Sequence, residues 1–92
     1  MVRINFNDLQ YVESIGNYVK IFSGKKFYVS HITMREMETL LPTKLFIRTH
    51  RSFIVNLSHV SSISDNDIHV GDARLAVGKT YKDNLRTRLT II

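Results

Sequence analysis

The chain has 92 residues, 43% of them hydrophobic, with a formal charge of +5 and no cysteine. That length holds one domain with a single hydrophobic core. The lack of cysteine excludes disulfides and thiol chemistry, and no apolar run nears the roughly 18 residues that span a membrane. The N-terminus has no basic segment leading into an apolar stretch, so no export signal is expected, and together these features fit a cytoplasmic location. Charge is uneven. Residues 43–92 hold eight Lys and Arg against Asp65, Asp67, Asp72 and Asp83, a surplus that attracts nucleic acid, anionic membrane or acidic protein.

Taken in order, the segments predict a mainly β chain with short helices. Val2, Ile4 and Phe6 alternate with polar residues, the period of a half-buried strand, which Asn7-Asp8 breaks. Leu9 to Ser14, Tyr18 to Phe22 and Lys26 to Ser30 follow as strands of an antiparallel meander, with turns at Gly16-Asn17 and Ser23-Gly24-Lys25. Thr33 and Glu36 have capping-box spacing. They open a helix that places Met34, Met37, Leu40 and Leu41 on one core face and ends at Pro42.

Phe46 to Thr49 is expected as a strand and Arg51 to Val55 as a single helical turn closed by Asn56, a residue that tolerates the left-handed conformation. Val60 to Ser64 and Asp67 to Val70 bracket Asp65-Asn66 as a hairpin, and Gly71-Asp72 turns the chain into the strand Ala73 to Val77. Thr80 and Asp83 again have capping-box spacing, and Tyr81, Leu85 and Leu89 share one face of a short C-terminal helix.

The run from Phe46 to Asn56 concentrates the chemistry. Arg48, His50 and Arg51 lie within four residues, framed by Phe46-Ile47 and Phe53-Ile54-Val55. A hydrophobic frame mounts these charges on a folded surface, unlike the charges of a flexible basic tail. This run resembles the signature of the LytTR family, the DNA-binding output domains of many bacterial response regulators. The likeness extends upstream through Tyr11 to Val19 and downstream through Leu75 to Tyr81, so three blocks in order cover most of the chain.

The resemblance implies an elongated sandwich of short antiparallel strands with one or two short helices, and DNA read through loops inserted into major grooves. It also implies a strand ahead of Val2, missing or cut short here, and a longer regulator in which an N-terminal receiver domain precedes this one. Promoter repeats in double-stranded DNA are the implied partner, with two copies per operator and an isolated domain that is a monomer or weak dimer. No membrane and no cofactor is implied.

The family's three base-contacting positions fall on Asn17, Arg51 and Lys79. Asn17 offers a donor and an acceptor that suit adenine, although Gly16-Asn17 also reads as a tight turn in which Asn serves the backbone. Arg51 suits the bidentate arginine–guanine contact; a surface salt bridge to Asp65 or Asp67 is the competing reading. The family usually has Ser-Arg where this chain has Gly78-Lys79, and lysine keeps the charge but loses the planar fork. Arg48, His50, Ser52, Gly78, Lys82 and Arg86 are the expected phosphate contacts, with Arg88 near them. His50 also reads as a structural histidine, Ser52 as a cap, and Arg86 and Arg88 as a solvated helix face.

Catalysis and metal binding find little support. His31, His50, His59 and His69 lack paired helical spacing, no cysteine assists them, and no nucleophile is placed beside them. The chain is therefore not expected to be an enzyme. The rival reading is a basic β-rich adaptor that binds acidic peptide or phospholipid.

Overall fold

Hydrophobic alternation in β4 (Phe46–His50) and β5 (Phe53–Asn56) organises the molecule, described over residues 3–89 by a computed structural model. Phe46 and Ile54 point to one face of their sheet, while Ile47 and Val55 point to the other. Both faces must therefore be covered. These strands sit in a five-stranded antiparallel sheet of order β3-β2-β1-β5-β4, with β1 (Tyr11–Ile15), β2 (Tyr18–Ser23) and β3 (Lys26–Ser30) forming the expected meander.

Helix α1 (Met34–Leu40) packs Met34 and Met37 on one face, with Leu9, Val12, Val19, Ile21, Leu41, Phe46 and Ile54. A second antiparallel sheet covers the other face: β6 (Val60–Ile63), β7 (Asp67–Val70) and β8 (Ala73–Ala76). Its Ile68, Val70 and Leu75 meet Ile47, Val55, Val77 and Leu85, the last from α2 (Lys82–Arg88). The sandwich is elongated, 40 × 22 × 21 Å. One continuous core was expected; there are two clusters, because a central sheet apolar on both faces separates them.

Several local expectations change. Ile4 to Phe6 do not form a strand, and Val2 lies outside the described residues. Leu40 is 63% exposed. Leu40 is the last residue of α1, about 120° around the helix from Met34, while Leu41, past the helix end in extended backbone, turns into the core. The Thr33–Glu36 capping box does form, with the Glu36 amide donating to Thr33 Oγ1 at 3.0 Å and the Thr33 amide to Glu36 Oε1 at 3.2 Å. Its Thr80–Asp83 counterpart does not, because Thr80 falls inside a 3-10 turn (Lys79–Tyr81) and α2 starts without a side-chain cap.

The most consequential change lies in the signature. Arg51 to Val55 is not helical: Arg51-Ser52 is a tight turn and Phe53 begins β5, paired with both β4 and β1. Aromatic and β-branched side chains there find partners across two neighbouring strands, which outweighs local helix formation. Asn56 is extended at φ −83° and caps the 3-10 turn Leu57–His59.

Candidate nucleic-acid interface

Strand pairing sorts the chain reversals between two ends of the molecule. The Gly16-Asn17 turn joins β1 to β2, and the Ser14 amide donates to Ser52 O at 2.9 Å, which sets the Arg51-Ser52 turn beside it. The Gly78 amide donates to Thr49 O at 2.8 Å, so Lys79 follows directly beside the end of β4. The Val77 amide donates to Asn66 O at 2.8 Å, which brings the β6–β7 turn to the same end. Asn17, Arg51 and Lys79, distant in sequence, are therefore gathered at one end, and all three are exposed.

Each turn presents its residue differently. Ile15 pairs with Tyr18, leaving Gly16-Asn17 as a two-residue hairpin loop. Gly16 supplies the positive φ of 57°, and Asn17 has none. Geometry of the type that takes glycine first thus places the conformational demand on Gly16, and leaves the Asn17 carboxamide unneeded by the turn. Arg51 forms no ion pair with Asp65 or Asp67; Asp67 instead pairs with Arg74 at 2.7 Å. Lys79 opens the 3-10 turn.

The residues around them are more heavily engaged. His50 Nδ1 accepts the Ser52 amide at 3.0 Å, which puts the neutral ring's proton on Nε2. This is the backbone-bonding histidine of the alternative reading. Both backbone groups of Gly78 are occupied, the amide by Thr49 O and the carbonyl by the Tyr81 amide at 3.0 Å. Lys82 Nζ donates to Asn66 Oδ1 at 3.1 Å. Helix α2 then runs back along β4, and Arg88 donates to Thr43 O beyond the far end of that strand. Arg86 is exposed on its outer side.

Arg48 is turned inward. Its Nε donates to His50 O at 3.0 Å, and its other guanidinium nitrogens reach Arg51 O and the Glu38 carboxylate of α1. A contact of this kind left no mark in the sequence, because Glu38 lies ten residues upstream on a separate element. A shallow cleft lined by Ser14, Gly16, Asn17, Tyr18, Thr33 and Met34 adjoins the β1–β2 turn.

A β-rich domain whose exposed Asn, Arg and Lys side chains converge on turns at one end carries the donors and charge that suit a nucleic-acid-binding module. Comparison with known proteins narrows the class to a family. The profile described as LytTr DNA-binding domain matches residues 1–90, and the chain belongs to that family. It is 32% identical over 97 positions to the sensory transduction protein LytT of Bacillus anthracis, covering 99% of this chain and 39% of that protein.

It is also 33% identical over 57 positions to the transcriptional regulatory protein YpdB of Escherichia coli K12, covering 62% of this chain and 23% of that one. A solved LytTr DNA-binding domain from Bacillus cereus superposes with a TM-score of 0.86 at 26% identity, covering 98% of this chain and 88% of that one. The chain thus spans about two-fifths of the length of LytT. It is a DNA-binding domain of the kind found in response-regulator transcription factors, not an enzyme. Among the described residues, no helix is long and apolar enough to cross a membrane.

Proposed function

We propose that the domain reads promoter repeats in double-stranded DNA by inserting the turns that carry Asn17, Arg51 and Lys79 into major grooves. The observation that carries this reading is their convergence at one end on separate turns, each with its side chain exposed. Arg51 recognises guanine through two parallel N–H donors, a contact worth about 1–3 kcal/mol of discrimination. Asn17 serves adenine with its donor and acceptor, and Lys79 supplies a point charge that binds phosphate or a guanine edge.

Lys82, Arg86, the Ser52 hydroxyl and the His50 ring flank these turns and dock phosphates. Gly78 contributes close backbone approach, since its amide is already used. Two domains occupy paired repeats, and contact with successive grooves from one face favours bent DNA. In the full-length protein a receiver domain N-terminal to this one controls the pairing of the two copies, and the protein acts in the cytoplasm.

Selection from a random duplex pool, at physiological salt with excess nonspecific competitor, tests the reading. The expected result is enrichment of a repeated motif, and Arg51→Ala relaxes one guanine position in it. Unchanged base preference in Arg51→Ala would remove Arg51 from the readout. Enrichment of no motif by the wild-type domain would leave a basic β module whose partner is acidic peptide or phospholipid.

A further inference from the structure

We infer that Glu38 and Arg48 form a clamp that sets the conformation of the Arg51-Ser52 turn, and so govern base discrimination without touching DNA. The inference rests on the proposed role of Arg51. The turn has a structural need for such support. His50 pairs with Phe53 across only two residues, yet no residue but glycine has a positive φ among those described. The turn is therefore not one of the mirror-image hairpin turns whose twist matches the flanking strands. Strand β4 absorbs the mismatch in a register shift between Arg48 and His50.

The His50 and Arg51 carbonyls of this turn both meet one partner from outside it. That partner is the Arg48 guanidinium: Nε takes His50 O at 3.0 Å, and Nη2 takes Arg51 O. Nη1 meets Glu38 Oε1 on α1. All three nitrogens of one rigid plane are thus engaged, the side chain is 21% exposed, and its charge faces a carboxylate. Little of that charge is left for a phosphate. Helix α1 is itself fixed, by its capping box at Thr33 and by Met34 and Met37 in the core. The path from core to helix to Glu38 to Arg48 therefore ends on the backbone that aims Arg51.

Two substitutions separate a clamp from a phosphate contact. Arg48→Lys keeps the charge, but a single ammonium cannot present a planar fork to three acceptors. Glu38→Gln removes an exposed negative charge, which by electrostatics alone strengthens binding to any duplex. The measurements are affinity for the duplex selected by the wild-type domain and for a scrambled duplex of equal length, over a salt series. Backbone ¹⁵N relaxation of residues 50–52 in the free protein accompanies them, with amide chemical shifts elsewhere confirming the fold.

Both variants are expected to lower the selected-to-scrambled affinity ratio about fivefold or more. Scrambled-duplex affinity holds in Arg48→Lys and holds or rises in Glu38→Gln, the salt slope stays that of wild type, and residues 50–52 gain fast motion. Wild-type discrimination together with a wild-type turn in both variants overturns the clamp. So does an Arg48→Met variant that weakens both duplexes equally and lowers the salt slope by about one, the signature of a lost phosphate contact. If the wild-type domain enriches no motif, the proposed readout fails instead, and the relaxation data still decide whether Glu38 and Arg48 order the turn.

Discussion

Asn56 is fully buried, and its carboxamide is satisfied on both sides. Nδ2 donates to Phe6 O at 3.0 Å and Leu9 O at 2.8 Å, while Oδ1 accepts from the Ser58 amide at 2.9 Å. One side chain therefore ties the N-terminal segment to the end of β5 and starts the following 3-10 turn. Asn56 was expected to close a helical turn before it in the left-handed conformation; it is extended instead and caps the 3-10 turn that follows, and its tie to Phe6 and Leu9, about fifty positions away, left no local mark. Thr49 shows the opposite condition. It too is fully buried, yet Oγ1 has no hydrogen-bond partner among the described residues. A buried hydroxyl left unpaired costs about 1–3 kcal/mol. Thr49→Val, nearly identical in shape, is expected to raise unfolding free energy by about 1 kcal/mol in urea titration, with the denaturant slope unchanged.

At the scale of the element, the junction between β8 and α2 turns on Gly78. Gly78 has ordinary extended backbone, φ −70° and ψ 143°, so it is not retained for a left-handed turn. Space is the reason. A Cβ there would sit 2.8 Å from the Tyr81 ring and 3.5 Å from the His50 Cα. Gly78→Ala must push the ring aside, and overpacking of this kind costs about 1–3 kcal/mol. The expected outcome is a lower thermal midpoint, together with shifted Tyr81 ring resonances. Because the Gly78 amide bonds Thr49 O, the same change disturbs the path that brings Lys79 beside β4. Sequence pattern located the C-terminal helix but misassigned its start, since Thr80 and Asp83 have capping-box spacing while Thr80 falls inside the 3-10 turn closed by the Tyr81 amide on Gly78 O.

For the whole molecule, the decisive fact is a central sheet covered by α1 on one face and the smaller sheet on the other. The arrangement shares β4 and β5 between two cores and sends four turns to one end, so the proposed reading surface is mounted on paired strands. Global stability has a matching pH signature through Tyr11, half-buried beside the second core and stacked on Phe22 at 4.3 Å between centroids. Burial raises its pKa above the usual 10.0, and the nearby Glu13 carboxylate adds to the shift. The folded state therefore holds the phenol proton more tightly than the unfolded chain. That contribution is present below about pH 10 and is lost as pH climbs through the raised folded value. Denaturation profiles of wild type and Tyr11→Phe, compared from pH 8 to 11.5, are expected to converge or cross at the alkaline end, with the wild type falling more steeply.

Much of this protein was determined by local sequence alone. The β-branched and aromatic content of Tyr18 to Phe22, the Asp65-Asn66 hairpin signal ahead of Asp67 to Val70, the glycines at the hairpins and the Thr33–Glu36 box each act over a few residues, and each produced the expected element. The three blocks of the signature marked the family and the exposed Asn17, Arg51 and Lys79. Tertiary structure alone decided the rest. Phe53 to Asn56 became a strand because β1 and β4 lie on either side of it. Arg48 turned inward because Glu38 and the carbonyls of His50 and Arg51 sit within reach of its guanidinium. Both outcomes depend on groups that meet only after the chain has folded, where unsatisfied backbone and charge seek partners by distance in space.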